Sequence, residues 1–442
     1  TLFLPAKADP HPEAPPGRAS GMCRCKCTER FMQWKRDPRK KPLVIQGGRQ
    51  TGKTWILRDF GEKNYDITIY INMETERSVA EYLSEPREPE EILLFLESYA
   101  NKPIRQEGTL LILDNFQCIA QGPSILGGLN LDFPGYHIAA IEKGGAPGKS
   151  RYDVGDAEII HLFPMDFEEF LWANKEYSLA KEIHKHMEEM LPMGKALHAK
   201  AIAQFRLYLC IGGMPGAVCE YRREKKMLLV PDIQSKILAL FLADIISEAP
   251  EGTGRHARNC FMSVPSQLCK ENGKFQYKQV VKGGTAKMYQ QPLQWLTESG
   301  FIYPSPRKTM DEQEMEKAYK YYYPDTGLAA CTLGVPAFLL LDGKDSVQAR
   351  SIVETYLAQC FVQNGYSLSY WSSGNQARLP FLLKKENFYT AVDFRLNTSE
   401  KLRNLSRYQD CGGSGRMYLL SPEDFQKKER YHIIPFYAVF CI

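Results

Sequence analysis

The chain has 442 residues, 44% of them apolar and 24% charged, and a formal net charge of +4. These are the proportions of an ordinary soluble globular protein with room for about three domains, and the charge is too small to demand a nucleic acid or membrane partner by itself. No apolar run reaches the roughly 18 residues of a membrane span; the longest, 237–246, is short and contains Asp244, as suits a core helix.

Residues 1–21 are rich in Pro, Ala and Gly without apolar periodicity and read as a disordered leader. Cys23, Cys25 and Cys27 alternate, which on a strand would place them on one face. No C-x-x-C pair or nearby His completes a metal site, so they read as incidental. The twelve cysteines lie mostly in apolar settings, which suits reduced thiols and a cytoplasmic location. A short helix from Glu29 and a basic turn then lead to Leu43-Val44-Ile45, a buried strand.

That strand runs into Gly47, Gly48, Arg49, Gln50, Thr51, Gly52, Lys53 and Thr54, which fits G-x-x-x-x-G-K-[ST] at every fixed position. The glycines let the backbone turn tightly and aim its N–H groups at a phosphate. Lys53 supplies a mobile charge for the β- and γ-phosphates of ATP, and the Thr54 hydroxyl can join Mg²⁺. The helix opening at Trp55 adds its N-terminal dipole. The pattern predicts binding of a nucleoside triphosphate.

Further along, 67–73 alternates like a strand and 90–100 like an amphipathic helix. The run 109–114 is a buried strand ending in Asp114, where a Walker B carboxylate organises Mg²⁺. One strand and one helix between the motifs suggest the additional-strand class of such ATPases, whose next residue activates water. Here it is Asn115, which can orient water but cannot accept its proton. The strand 136–141 ends on Ala140, Ile141 and Glu142, where a γ-phosphate sensor would be a small polar residue. Another strand, 159–163, leads to Asp166, Glu168 and Glu169, which read as a helix cap rather than catalytic acids. His184 and His186 sit two apart on a helix and make a poor metal pair. The turn 212–216, GGMPG, could approach the nucleotide. Residues 263–302 read as a winged-helix segment with several lysines and 308–317 as a charged linker; from 351 a helix is followed by strands at 368–371, 379–383 and 389–394, with later strands at 416–420 and 436–442.

On GGRQTGKT, TLLILDNFQ, FPMDFEEFLWA, GGMPGAV, SVPSQLCKENGKF, KYYYPDTGLAA and the VETYLAQ to AVDFRL run, the chain resembles a family of prokaryotic AAA-type P-loop ATPases. Their winged-helix segment is followed by a domain of unknown function with a restriction-endonuclease-like fold. The resemblance implies an α/β chain: leader 1–21, AAA-type domain 22–175, helical lid and winged-helix segment 176–306, linker and transition 307–350, and a nuclease-like domain 351–442. It also implies ATP and Mg²⁺ as cofactors, with Thr54 and Asp114 at the metal. Family members read Asp-Glu at Walker B, against Asp114-Asn115 here. In the last domain Glu354 matches a metal-site acid, but Pro380 stands for the middle Asp, and Asp393-Phe394-Arg395 for Glu-x-Lys.

These residues predict a nucleotide-dependent switch with weak or slow hydrolysis. The alternatives are a DNA- or protein-binding adapter that uses ATP structurally, and an active nuclease, which the missing middle acid argues against. Any DNA or protein partner would engage the C-terminal half. Arg151 lies in the region of an arginine finger, and the sequence does not define the oligomeric state.

Overall fold

The computed structural model describes residues 25–145, 151–152, 156–308, 318–373, 377–399 and 403–442. The expected leader 1–21, Cys23 and residues 309–317 of the expected linker lie outside them. Five strands build the first sheet: β1 (Leu43–Gln46), β2 (Ile67–Asn72), β3 (Thr109–Asp114), β4 (His137–Ile141) and β5 (Glu158–His161). Their order is β2-β3-β4-β1-β5, every pair parallel. β1, β3 and β4 are buried at every position, the mark of a parallel sheet covered on both faces.

Successive side chains alternate between those faces. Leu43, Ile45, Leu110 and Ile112 pack on Phe31 and Trp34 of the helix Cys27–Arg36 and on Leu57 and Phe60 of the helix Lys53–Asn64. Val44, Leu111 and Leu113 pack instead with Val79, Leu96 and Leu126. β4 lies between the strands of the two motifs, as the additional-strand class requires. Cys27 opens a helix, so the strand face expected for the cysteines does not form; the Cys25 and Cys27 sulfurs lie 2.8 Å apart across one bend.

Beyond the sheet the chain is mostly helical to the helix Ala286–Glu298, then forms the hairpin of β6 (Tyr303–Lys308) and β7 (Tyr319–Tyr322). The stretch 307–350, expected as linker and transition, contains β7 and the helices Thr326–Leu333 and Ala337–Leu341, and buries Leu328, Ala329 and Leu340. One apolar core runs from Phe167 to Phe440 without a gap between the expected segments.

After the helix Val347–Gln363 come β8 (Tyr370–Ser373), β9 (Ala377–Leu379), β10 (Phe381–Lys385), β11 (Phe388–Phe394), β12 (Arg416–Ser421), β13 (Gln426–Lys427) and β14 (His432–Pro435). The strand expected around 379–383 is split at Pro380. β9 joins the sheet β7-β6-β8-β9, and β10 joins β10-β11-β12-β14-β13. A proline lacks the N–H a ladder needs, so the break falls there. The strand expected over 436–442 is also different: β14 ends at Pro435, and Phe436–Cys441 is a 3-10 turn packed into the core. Among the described residues no single helix is long and apolar enough to cross a membrane.

Candidate functional site

The loop after β1 and the ends of β3 and β4 meet at the C-terminal edge of the parallel sheet. Gly47 has φ 153°, and a Cβ there would stand 2.2 Å from the Leu162 carbonyl oxygen. Gly52 has φ 89° and caps the helix Lys53–Asn64. Both positions demand glycine. Gly48 does not, since a Cβ there meets only the Thr51 methyl at 3.7 Å. Gln50 takes the remaining left-handed position, φ 61°, and the Thr51 hydroxyl donates to the Gly48 carbonyl at 2.9 Å.

Lys53 is buried and folded back on its own loop, donating to the Gly47 and Gly48 carbonyls at 2.8 and 2.7 Å. Burial lowers its pKa to about 8, the Asp114 charge opposing and the Lys143 and Arg49 charges adding. The Thr54 hydroxyl donates to Asp114 Oδ2 at 2.7 Å, so the two side chains expected at a metal are already in contact. Asp114 Oδ2 also accepts from the Tyr70 hydroxyl at 2.7 Å, and Oδ1 from the Asn115 backbone at 2.7 Å. The Tyr70 phenol is pushed up by burial and then by the Asp114 charge.

Asn115 sits in the left-handed region at φ 55°, which Asn tolerates better than most side chains. Its amide donates to Asn72 Oδ1 at 2.9 Å. Tyr70 and Asn72 were missed by the sequence reading. Their signal was present: two apart on β2, they share a face, and Asn72 is in register with Asp114.

Glu142, at the sensor position, is 4% exposed, and both of its oxygens accept hydrogen bonds. Its Oε1 accepts from Arg151 Nε and Nη2 at 2.9 and 2.6 Å and from the Tyr152 hydroxyl at 2.6 Å; its Oε2 accepts from Gln46 at 3.0 Å. Arg151 also donates to the Phe116 and Ile119 carbonyls, at 3.0 and 2.9 Å. It is turned inward on Glu142, not outward as a finger would be.

Arg49 leaves the loop to pair with Asp244, on the helix Val230–Glu248. Burial raises the Asp244 carboxyl pKa and the Arg49 charge opposes it. Glu248 is raised by burial and by Asp244, and Lys143 bridges to Glu74 at 3.2 Å. Charges of both signs thus pair off around the loop. The GGMPG turn does approach it: Pro215 lies 3.7 Å from where a Gly52 Cβ would be. Asp325 holds that turn, accepting from the Gly213 backbone at 2.6 Å and the Leu328 backbone at 2.9 Å, with a pKa raised by burial to about 6.

Asp166 caps the helix Phe167–Ala173 in a capping box with Glu169, as expected of those acids. Lys26 pairs with Asp166 and, at 2.8 Å, with Glu168, tying the chain before the first helix to this cap.

The residues compared with a metal-site acid set in the last segment come together away from the loop. Glu354, Pro380 and Asp393 line one cavity. Glu354 Oε1 accepts from Lys320 at 2.7 Å and from Tyr322 at 2.8 Å.

Residues 39–171 match the family described as AAA domain, and residues 202–338 match a domain of unknown function, DUF8612. No curated protein matches the chain. Among solved structures it is similar to a Walker-type ATPase of Pyrococcus abyssi at 13% identity, over 69% of this chain and 94% of that one, with a TM-score of 0.42. It is similar also to the ORC of Drosophila bound to DNA, at 15% identity over 70% and 94%, with a TM-score of 0.26.

Proposed function

With residues 39–171 matching the AAA domain family, we propose that this chain is a nucleotide-dependent switch that binds Mg·ATP and turns it over slowly. The observation that carries the proposal is the Arg49–Asp244 pair. It fastens the phosphate-binding loop to a helix of the following segment, so phosphates on the loop compete for the cation that holds that helix.

The residues fit the ligand. Gly47 and Gly52 keep the loop free of Cβ atoms, and Lys53 moves from two backbone carbonyls to phosphate oxygens. The Thr54 hydroxyl and the Asp114 carboxylate lie 2.7 Å apart, close enough for both to serve one Mg²⁺ site. Bound Mg²⁺ would supply charge neutralisation across the phosphates. Asn115 keeps an amide oxygen to orient water but cannot take its proton, and Glu142 is buried with both carboxylate oxygens already hydrogen-bonded to Arg151, Tyr152 and Gln46. Slow turnover follows from that pair of residues.

The test is hydrogen exchange across the helix Val230–Glu248 with and without Mg·ATP, alongside binding and turnover of the wild type and Lys53→Ala. Faster exchange on ATP addition, lost in Lys53→Ala, supports the switch. Unchanged exchange with tight binding refutes it.

A second reading, a DNA- or protein-binding adapter, is favoured by the helices Gly254–Leu268, Tyr277–Val280 and Ala286–Glu298 followed by the β6–β7 hairpin, which is a winged-helix order. Salt-sensitive DNA binding indifferent to nucleotide would select it. A nuclease role draws no support from Glu354, held by Lys320 and Tyr322, or from Pro380, which has no ligand atom in its side chain. The cytoplasmic location rests on the reduced-thiol composition.

A further inference from the structure

The cavity around Glu354 has a volume of about 450 Å³, within the range of small-molecule sites. It is open on one side and its wall comes from separate parts of the chain. Among the described residues, five cations line it (Lys274, Arg307, Lys320, Arg350 and Arg378) along with three acids, Glu271, Glu354 and Asp393.

Two of those acids are already engaged by the wall. Glu354 Oε1 accepts from Lys320 and Tyr322. Asp393 accepts from the Phe394 backbone at 2.9 Å through Oδ1 and from the Asn404 amide at 3.0 Å through Oδ2. Lys274 and Arg378, in contrast, line the cavity with no carboxylate of the described residues within 4.0 Å in an ion pair. The Lys320 ammonium rests on Glu354, where an incoming metal cation would have to displace it.

A half-enclosed space in which two cations, Lys274 and Arg378, stand outside any ion pair among the described residues focuses its field on an anion. A planar guanidinium and a mobile ammonium together match phosphate oxygens. The Tyr370 and Phe394 rings stand in the same wall, carrying Lys320 and Arg350 at 5.4 and 5.0 Å from their centroids, and offer flat apolar surface beside the charges.

We propose that this cavity binds the phosphate of a nucleotide, either a free nucleotide or one within a nucleic acid strand, through Lys274 and Arg378. The site is separate from the phosphate-binding loop and does not depend on the switch. The third acid, Glu271, is exposed to solvent, where its charge is screened.

The test uses the full chain, with AMP and a 5′-phosphorylated single strand of about ten nucleotides as probes, titrated at low salt. The variants are Lys274→Gln with Arg378→Gln, and the charge-keeping Lys274→Arg with Arg378→Lys. The Gln pair is expected to weaken binding at least tenfold. The charge-keeping pair should restore it, and Mg·ATP binding and the melting temperature should stay unchanged in both. Loss of AMP binding in the Gln pair identifies a free nucleotide as the ligand. Loss confined to the strand, with a salt slope reduced by about 1.4 for two phosphate contacts, identifies nucleic acid. Binding of neither probe to the wild type, or equal binding by the wild type and a folded Gln pair, overturns the proposal.

Discussion

Binding of Mg·ATP should take up a proton, and Lys53 is the reason. In the free protein its ammonium is buried against two backbone carbonyls and its pKa stands at about 8, below the ordinary 10.5. Phosphate oxygens restore a full counter-charge, so the bound lysine stays protonated at least to its ordinary value. The sign follows. As pH rises above about 8 the free protein loses this proton and the complex does not, so affinity falls, by at most about tenfold per pH step of one. From about 8 to 10.5 the linked free energy is ~3 kcal/mol, or about 300-fold in affinity. The uptake is about half a proton per nucleotide near pH 8 and ~0.9 near pH 9. Titration calorimetry in buffers of different ionisation enthalpy reads it directly. Lys53→Arg, whose guanidinium keeps its charge throughout, should bind without uptake. A wild-type binding heat that does not change with the buffer near pH 9 would refute this account of the loop.

Other outcomes follow from the same geometry. Asn115→Asp places an acid beside Asp114 while tolerating φ 55°, and should raise turnover by roughly 10-fold or more; equal turnover would mean that proton acceptance at this position is not limiting. Gly47→Ala would drive a Cβ to 2.2 Å from the Leu162 oxygen at φ 153°, so a loss of about 2–3 kcal/mol in denaturant unfolding, together with lost ATP binding, is expected. Asp244→Ala frees Arg49 and should tighten ATP binding several-fold while loosening the helix Val230–Glu248 in hydrogen exchange. His161 is held neutral by burial, and secondarily by Lys53, with a pKa lowered to about 4 from 6.5. The unfolded chain protonates first as pH falls, so wild-type stability should drop relative to His161→Gln between about 6.5 and 4, by up to ~3 kcal/mol, and parallel melting curves would exclude it.

Much of the nucleotide end was legible because its chemistry is local. A glycine-rich turn, a lysine and a threonine at fixed spacing make one loop, and the apolar run 109–114 reads as a buried strand with its acid at the edge. The order of those motifs pointed to the additional-strand class, and the structure sets β4 between β1 and β3. The acids of 166–169 were likewise readable as a cap, since a capping box needs residues only three apart. The last segment was less legible. The proline at 380 was recognised as a missing ligand, but its second consequence, dividing one expected strand between two sheets, depends on which neighbours each half finds. The run 436–442 is apolar at nearly every position, and such a run fits a buried turn as well as a strand.

Sequence alone determined the elements whose partners are close along the chain: the phosphate-binding loop, the Thr54 and Asp114 positions, the parallel sheet and the caps. Tertiary structure decided every pairing between distant charges. Arg49 meets Asp244 across 195 positions, Glu142 is closed off by Arg151 rather than left to face a nucleotide, and Lys320 on β7 reaches Glu354 on the helix Val347–Gln363. The reason is physical. Backbone propensity and apolar periodicity act over one turn or one strand, whereas a long charged side chain pairs with whatever carboxylate packing brings within a few ångströms.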